Sequence, residues 1–248
     1  MDSSAQAAHE LSSLPRASSF ERKPSVLPEY EKLSHMTTKH GSPASTNLRV
    51  VEEDQADAEV SRLYEQFRSR FGRLDLPGIL KCFATHPPLL RHMMDIAEAL
   101  LFAEGHLTRR HKEMIATFVS VQNHCPYCAD SHSYRLRVQG GSAEALCAIQ
   151  GNDLRSPSLT TAEQGLLRFV EKINRSSHGV TPGDVKQLIE NGWREPQIAE
   201  AVHVAALFAA FNRIANGFGL PSQGLLALFE AAGNGGQADN PVHHGDGQ

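Results

Sequence analysis

Apolar residues recur every three to four positions through most of the chain from about residue 49 to residue 232. This spacing is typical of amphipathic α-helices, because residues three and four apart share one helical face. The clearest stretch follows Pro88, and one face of its helix collects Leu89, Leu90, Met93, Met94, Ala97, Leu100 and Leu101. A second strong stretch, 195–217, repeats the pattern with Ile198, Val202, Ala205, Phe208, Phe211 and Ala215. Both segments are predicted to be helices with one buried face.

Weaker versions of the same pattern fill the rest of this region. Further helices are predicted at 55–70, 108–122, 125–139, 142–150, 160–175, 182–191 and 222–231. Glycine readily ends helices, and plausible stops lie at Gly140-Gly141, Gly151 and Gly192. No stretch alternates convincingly between apolar and polar residues as a half-buried strand would. The sequence therefore predicts one compact all-α domain over 49–232, with short loops that favour antiparallel neighbouring helices.

The two ends of the chain have a different composition. Residues 1–48 are rich in serine, proline and charged residues, and residues 233–248 are polar and rich in glycine. Such segments bury too little apolar area to offset the entropy lost on ordering. Both are predicted to be disordered tails, and His243 and His244 are read as tail residues rather than metal ligands.

Composition and charge exclude several classes of protein. The 248 residues are 40% hydrophobic, which is enough for a sizeable core, and the net charge of −4 offers no basic surface for nucleic acid. Four cysteines are too few for a disulfide-stapled scaffold. We identify no secretory signal and no apolar run of about 18 residues that could cross a membrane. A soluble cytoplasmic protein without nucleic-acid or membrane partners is expected.

The candidate chemistry centres on the run Cys125-Pro126-Tyr127-Cys128. Two cysteines three positions apart can close a disulfide at little cost in chain entropy. Proline suits the first turn of a helix, so Cys125 is predicted at or near a helix N-cap, where the helix dipole stabilises a thiolate. His132 follows Cys128 by four positions on the same helical face. The imidazole is therefore placed to exchange a proton with a sulfur.

Glu113 adds a possible second proton carrier on the preceding helix. It lies between a basic cluster and the apolar residues Met114 and Ile115, at the edge of the predicted buried face. Partial burial there would raise the pKa of the carboxyl and suit it to proton relay with His132.

These residues resemble the signature of a known family. Glu113, the run from Cys125 to Cys128, and His132 are similar to the Glu-x11-Cys-x2-Cys-x3-His pattern of AhpD-like alkylhydroperoxidases, in the carboxymuconolactone decarboxylase superfamily. The resemblance extends over about residues 50–230 and includes 107–110 and 212–216, which look like the peroxidase-related branch. An AhpD-like helical fold is implied.

The resemblance also implies an activity, the reduction of a hydroperoxide to an alcohol and water. Cys128 would be the peroxide-reactive thiolate and Cys125 the resolving thiol, so that the product is a Cys125-Cys128 disulfide. His132 would take the proton of Cys128, and Glu113 would orient or recharge His132. An external dithiol would reduce the disulfide, without prosthetic group or metal, and trimers or hexamers of the chain are implied.

Two features depart from this pattern. The helix dipole favours Cys125 as the thiolate, whereas the resemblance assigns the peroxide-reactive role to Cys128. Characterised AhpD proteins carry a histidine between the two cysteines, where this chain has Tyr127. A shorter proton relay follows, and disulfide reduction or redox sensing could be the main activity.

Two further functions remain open at this point. One is a small-molecule lactone decarboxylase of the same superfamily, which would not depend on the cysteine pair. The other is a zinc-binding or redox-sensing module, but zinc usually needs four ligands. Cys82 and Cys147 lie outside any ligand-like spacing and are expected to be buried small apolar residues.

Several other residues are expected to have structural roles or to lie on the surface. Trp193 is expected to anchor helix packing, and His203 is expected to pack against the core. Arg109 and Arg110 are predicted to form a solvated or inter-subunit face. Asn212 would satisfy buried backbone near the site or bind across a subunit interface, and it is not assigned to catalysis.

Overall fold

The computed structural model describes residues 46–235 and is all-α over that range, with no strand among the described residues. Most of the two predicted tails, 1–48 and 233–248, lies outside the described residues. The ten α-helices are α1 (Ala58–Phe71), α2 (Gly78–Phe83), α3 (Pro87–Ala97), α4 (Arg109–Gln122), α5 (Pro126–Val138), α6 (Ala143–Gln150), α7 (Thr161–Ser176), α8 (Pro182–Glu190), α9 (Glu195–Phe218) and α10 (Leu225–Gly235). The predicted all-α fold class is confirmed.

Nine of these helices were predicted, and their ends agree to within a few residues. The short α2 was missed, because six residues are too few for a periodic pattern to stand out. The stretch after Pro88 is helical as predicted, but α3 ends at Ala97 and the chain continues as a π-helical turn, Glu98–Phe102. This turn widens the helix beside the cavity described below.

Local signals account for several helix ends. The Thr160 hydroxyl accepts from the Glu163 backbone N–H while the Glu163 carboxylate accepts from the Thr160 backbone N–H, so α7 begins with a capping box. At the other end of the fold, Gly219 closes α9 with a φ of 73°. This left-handed conformation suits glycine, and an added Cβ would also lie 2.7 Å from Asn47.

Helix α9 lies in the middle of the core and packs against α4 and α7. Its length and composition would allow it to cross a membrane, so the expectation that no such apolar run exists is wrong. Half of its most apolar window is buried inside the fold, and it carries the buried polar residues Glu200 and Asn212. Burial by neighbouring helices gives this segment the character of a core helix.

A buried ion pair ties α4 to α9. Lys112 Nζ lies 2.7 Å from Glu200 Oε1, and the second carboxylate oxygen accepts from the Leu107 backbone N–H at 2.6 Å. Gly105 leaves room for this carboxylate, because an added Cβ would come within 2.1 Å of Glu200 Oε1. The pair therefore fixes the loop that leads into α4, where Arg109 and Glu113 lie.

Three side chains outside the site can be compared with their predictions. Trp193 is buried in the core and its indole N–H donates to the Ala162 carbonyl, as expected for a packing anchor. His203 is exposed, so its predicted packing against the core is wrong; it lies on the outer face of α9. Cys147 is exposed as well and is not the buried small residue predicted, because its side of α6 faces away from the core.

Candidate active site

The turn between α4 and α5 places the cysteine pair. His124 takes a left-handed conformation, with a φ of 51°, and Cys125 N–H donates back to the Ser120 carbonyl at 2.9 Å. The chain then enters α5 with Cys125 as the N-cap and Pro126 in the first turn, as predicted. Both Cys125 and Cys128 are buried free thiols.

The two thiols are hydrogen-bonded to each other and differ in acidity. The hydrogen bond from Cys128 comes first among the causes that lower the pKa of Cys125 to about 7, and backbone N–H groups of the first helical turn add to it. The same hydrogen bond, together with burial, raises the pKa of Cys128. Cys125 is therefore the more acidic sulfur, and Cys128 holds the shared proton.

His132 and Glu113 meet across the α4 and α5 pair. His132 Nδ1 lies 2.6 Å from Glu113 Oε2, and only 1% of the Glu113 side chain is exposed. The sequence suggested this contact but could not establish it, since the two residues lie on different helices. Helix α4 and helix α5 pack closely along their lengths, which brings the two side chains together.

The predicted rise in the pKa of Glu113 is wrong. Burial does favour the neutral acid, but the charge of Arg109 and the contact with His132 outweigh it and lower the pKa to about 2. Arg109 Nε donates to Glu113 Oε1 at 2.6 Å, one helical turn away on α4. Arg109 is therefore part of the site and not merely a solvated or inter-subunit face, as its sequence neighbours suggested.

An ionised Glu113 fixes the state of His132. A carboxylate only accepts hydrogen bonds, so Nδ1 of His132 must carry the proton and Nε2 is left as the basic nitrogen. Burial lowers the pKa of His132 despite the nearby carboxylate. The ring also packs edge-on against Phe208, with centroids 4.5 Å apart. His132 is thus held as a neutral imidazole able to accept a proton.

A cavity of about 110 Å³ opens beside these groups. Its walls are mainly apolar, and they include Phe67, Phe71, Leu80, Phe83, Leu90, Met94, Leu101, Phe102 and Phe211. Cys128 and His132 line the cavity. Cys125 does not line the cavity; it packs in a buried cluster that contains Cys82, Cys128, Ala215 and Leu220. A molecule in the cavity therefore meets Cys128 first.

Tyr127, between the cysteines, also lines the cavity. Its hydroxyl accepts from the Ile79 backbone N–H at 3.3 Å, which ties α5 to the start of α2. Arg109 lines the same cavity and lies over the Phe102 ring, 4.6 Å from its centroid. The tyrosine hydroxyl thus links two helices beside the cavity.

Sequence reasoning placed Asn212 near the site but did not find its contact with the sulfurs. It is fully buried on α9, and its side-chain hydrogen bonds to the two cysteines help to lower the pKa of Cys125 and oppose the rise in the pKa of Cys128. Its Nδ2 also donates to Ser120 Oγ at 3.0 Å. An asparagine among apolar residues in the middle of a core helix was the available signal, because a buried amide needs partners.

Cys82 lies in the same buried cluster as the cysteine pair. Burial raises the pKa of its thiol to about 12, so it is a poor nucleophile. Residues 46–235 contain no group of three or more histidine, cysteine, aspartate or glutamate side chains placed to hold a metal ion.

Known proteins share part of this sequence and the fold around the site. Residues 87–172, which contain Glu113, both site cysteines and His132, match the model of the carboxymuconolactone decarboxylase family. This segment of the chain is therefore similar to the carboxymuconolactone decarboxylase family. A comparison with curated proteins gives no match.

Solved structures of AhpD-like, peroxidase-related proteins are similar in fold to this chain. The AhpD core of an uncharacterized peroxidase-related protein from Ralstonia eutropha JMP134 aligns with a TM-score of 0.66 at 23% identity, over 75% of this chain and 96% of that one. An uncharacterized peroxidase-related protein from Silicibacter sp. TM1040 gives 0.61 at 24% identity, over 73% and 92%. At these identities the likeness is one of fold.

A debrominase also has a similar fold. A variant of the debrominase Bmp8, in complex with 2,3,4-tribromopyrrole, aligns with a TM-score of 0.61 at 15% identity, over 77% of this chain and 99% of that one. The fold by itself therefore leaves the reaction open, and function must be argued from the site.

Proposed function

We propose that this protein is a thiol-dependent peroxidase that reduces organic hydroperoxides through a Cys125-Cys128 dithiol and disulfide cycle. The observation that carries the proposal is the contact of Glu113 with His132 beside a cavity that exposes Cys128 and shields Cys125. A buried base next to one accessible thiol and one acidic thiol is what such a cycle requires.

In the first step the proton of Cys128 moves to Nε2 of His132. The Cys128 thiolate attacks the outer peroxide oxygen, the O–O bond breaks, and the leaving alkoxide takes the proton from His132. The sulfur is oxidised to a sulfenic acid and the hydroperoxide is reduced to an alcohol. Glu113 stabilises the imidazolium formed in between, since its carboxylate stays ionised.

In the second step Cys125 attacks the sulfur of the sulfenic acid. A disulfide forms and hydroxide leaves, and it is protonated to water. The low pKa of Cys125 suits this role, because the attacking group must be a thiolate near neutral pH. Access thus favours Cys128 for the peroxide, and acidity favours Cys125 for resolution. An external dithiol then reduces the disulfide and is itself oxidised to a disulfide.

The cavity supports an organic hydroperoxide over hydrogen peroxide. Its walls carry several aromatic and aliphatic side chains, which bind an alkyl or aryl group by excluding water. Hydrogen peroxide has no apolar part to bury there. Cumene hydroperoxide is therefore the first substrate to test, with hydrogen peroxide as the comparison.

Mass spectrometry of the oxidised protein tests this proposal. The reduced protein is treated with cumene hydroperoxide and a sulfenic-acid trap, as wild type, Cys125→Ser and Cys128→Ser, in a Cys147→Ser background that removes the exposed thiol. We expect a Cys125-Cys128 disulfide in wild type and trapped sulfenic acid on Cys128 in Cys125→Ser. Trapping on Cys125 would reverse the roles, and an unreactive wild type would refute the peroxidase.

Reductive debromination is a second candidate, favoured by the aromatic wall beside Cys128. The debrominase Bmp8 shares the fold, and its complex holds 2,3,4-tribromopyrrole. A dithiol can reduce a carbon–bromine bond to carbon–hydrogen, releasing bromide and a proton as the disulfide forms. Bromide release from a brominated pyrrole, lost in Cys128→Ser, would favour this reaction. Lactone decarboxylation that persists in Cys128→Ser would instead favour the decarboxylase.

Self-association into trimers or hexamers is part of the same proposal. Leu89 and Ile96 lie on one side of α3 and are exposed, as is Phe102 just beyond it. A face of this kind can be buried against a second copy of the chain. Light scattering after size exclusion would give the oligomer mass, and a monomer at micromolar concentration would contradict the proposal.

A further inference from the structure

A ladder of side-chain amides runs from the surface of α7 to the two sulfurs. Gln122 Nε2 donates to Glu171 Oε1 at 3.0 Å, and Asn174 Nδ2 donates to Gln122 Oε1 at 3.2 Å. Asn123 Nδ2 then donates to Asn174 Oδ1 at 3.1 Å and to Asn212 Oδ1 at 3.0 Å. Asn123 thus donates to both Asn174 and Asn212, and its own oxygen accepts from Asn174 at 3.1 Å.

The direction of this ladder has a physical cause. Glu171 is a carboxylate and can only accept, so Gln122 must present its NH₂ group to it. The Gln122 oxygen then faces the NH₂ group of Asn174, and the Asn174 oxygen faces the NH₂ group of Asn123. The same NH₂ group of Asn123 also donates to the oxygen of Asn212. The oxygen of Asn212 is occupied by Asn123, and its NH₂ group is turned toward Ser120 and the cysteines.

We propose that Asn212 is a catalytic residue whose amide N–H donates a hydrogen bond to the sulfur pair, and that Asn123 is a positioning residue that holds this amide in the donating orientation. Asn212 lies beside the sulfurs, because it donates to Ser120, whose backbone carbonyl accepts from the Cys125 N–H, and Ala215, one turn later on α9, packs with Cys125 and Cys128. Its amide is within hydrogen-bonding reach of both sulfurs. A donor directed at sulfur stabilises the thiolate in each state of the cycle. The inference rests on the proposed dithiol chemistry, since it concerns the same two sulfurs.

Burial makes this hydrogen bond effective. Asn212 is fully buried, so water does not compete for the sulfurs from the α9 side. The Ser120 hydroxyl oxygen accepts a hydrogen bond from the other N–H of the amide, and the hydroxyl donates to the Ala116 carbonyl at 2.7 Å. Every hydrogen-bonding atom of Asn212 therefore has a defined partner, and rotation of the amide would leave a donor facing a donor.

The test compares Asn212→Asp with a matched control, Asn216→Asp. Asn216 lies one turn later on α9, is exposed, and donates to the Asn123 carbonyl without touching the sulfurs. The rate of iodoacetamide alkylation of Cys125 is measured against pH, without peroxide, in the Cys147→Ser background. We expect about tenfold slower alkylation at neutral pH in Asn212→Asp and a raised thiol pKa, because an acceptor replaces a donor to a charged sulfur.

A second variant keeps the test valid if Asn212→Asp does not fold. Asn123→Ser removes the donor to Asn212 Oδ1 and leaves Asn212 in place, so we expect a smaller slowing, of about threefold, because the amide can then rotate. Folding of each variant is checked by circular dichroism. Wild-type thiol pKa values in both folded variants, or equal shifts in Asn216→Asp, would overturn the inference. The alkylation assay uses no peroxide, so it tests the role of Asn212 even if the protein proves not to be a peroxidase.

Discussion

His132 Nδ1 lies 2.6 Å from Glu113 Oε2, although the two residues are 19 positions apart and belong to different helices. The contact is buried and the carboxylate is ionised, so it sets which imidazole nitrogen carries the proton. The basic nitrogen, Nε2, is then free to accept a proton in the cavity that His132 and Cys128 both line. This relationship, rather than the cysteine pair alone, makes the site suited to proton transfer.

Replacing Glu113 with glutamine tests this relationship. The amide of Glu113→Gln can present its NH₂ group to His132, which removes the carboxylate that stabilises the imidazolium. We expect kcat/KM for cumene hydroperoxide to fall by about 100-fold, the lower range for loss of acid–base catalysis. Steady-state peroxide consumption with a dithiol donor gives the value.

The matched control is Glu163→Gln. Glu163 is also a buried glutamate paired with an arginine of α4, Arg110, but it lies away from the sulfurs. We expect this variant to lose stability and keep its activity. Equal losses of activity in the two variants would show that Glu113 acts only through folding.

The low pKa of Glu113 predicts an acid-sensitive fold. Its pKa lies at about 2 in the folded chain against 4.5 for an ordinary glutamate, so the unfolded chain binds more protons between these values. The stability that Glu113 contributes is therefore present above pH 4.5 and is lost as the pH falls toward 2. Urea unfolding at several pH values should show the difference between wild type and Glu113→Gln shrinking in this window, and a constant difference would contradict it.

The size of the cavity predicts how substrate preference can be changed. Ala97 lines the cavity, so Ala97→Phe should fill part of it with a ring. We expect KM for cumene hydroperoxide to rise by about tenfold, as loss of a buried apolar contact allows. Turnover of hydrogen peroxide should change little. Ala103→Phe is the control, because Ala103 is exposed. A similar rise in KM in this control would show that filling the cavity is not the cause.

The buried pair of Lys112 and Glu200 predicts a large loss of stability when one partner is removed. Lys112→Met leaves the Glu200 carboxylate buried without its cation, which costs about 3 kcal/mol or more. Urea unfolding gives the free energy. Lys186→Met, which breaks an exposed pair with Glu190, should cost less than about 1 kcal/mol. If Lys112→Met costs no more than this control, the pair does not fix the loop before α4.

The four thiols predict an order of labelling. Cys147 is exposed and should react first with a bulky maleimide, whereas Cys82 is buried with a pKa of about 12 and should react only on unfolding. Cys125 and Cys128 should react with small reagents and resist bulky ones, since both are buried. Peptide mapping after timed labelling checks this order, and early labelling of Cys82 would contradict the packing around the site.

Sequence reasoning found most of the helices because each apolar face repeats within a short window. It missed α2, which is shorter than two turns, and it placed Cys147 and His203 in the core because neighbouring residues there are apolar. Burial depends on which way a helix is rotated against its neighbours, and a local pattern fixes that rotation poorly for single residues.

By itself the sequence determined the all-α class, the N-cap position of Cys125 and the spacing that puts Cys128 and His132 one turn apart, because these follow from contacts within a few residues. Only the tertiary structure decided that Glu113 is ionised by Arg109, that Cys128 and not Cys125 lines the cavity, and that Asn212 reaches both sulfurs. Arg109 and Glu113 share α4, but the burial of their pair, the walls of the cavity and the reach of Asn212 depend on groups brought together from separate helices. These groups come within contact distance of one another only when α4, α5 and α9 pack together.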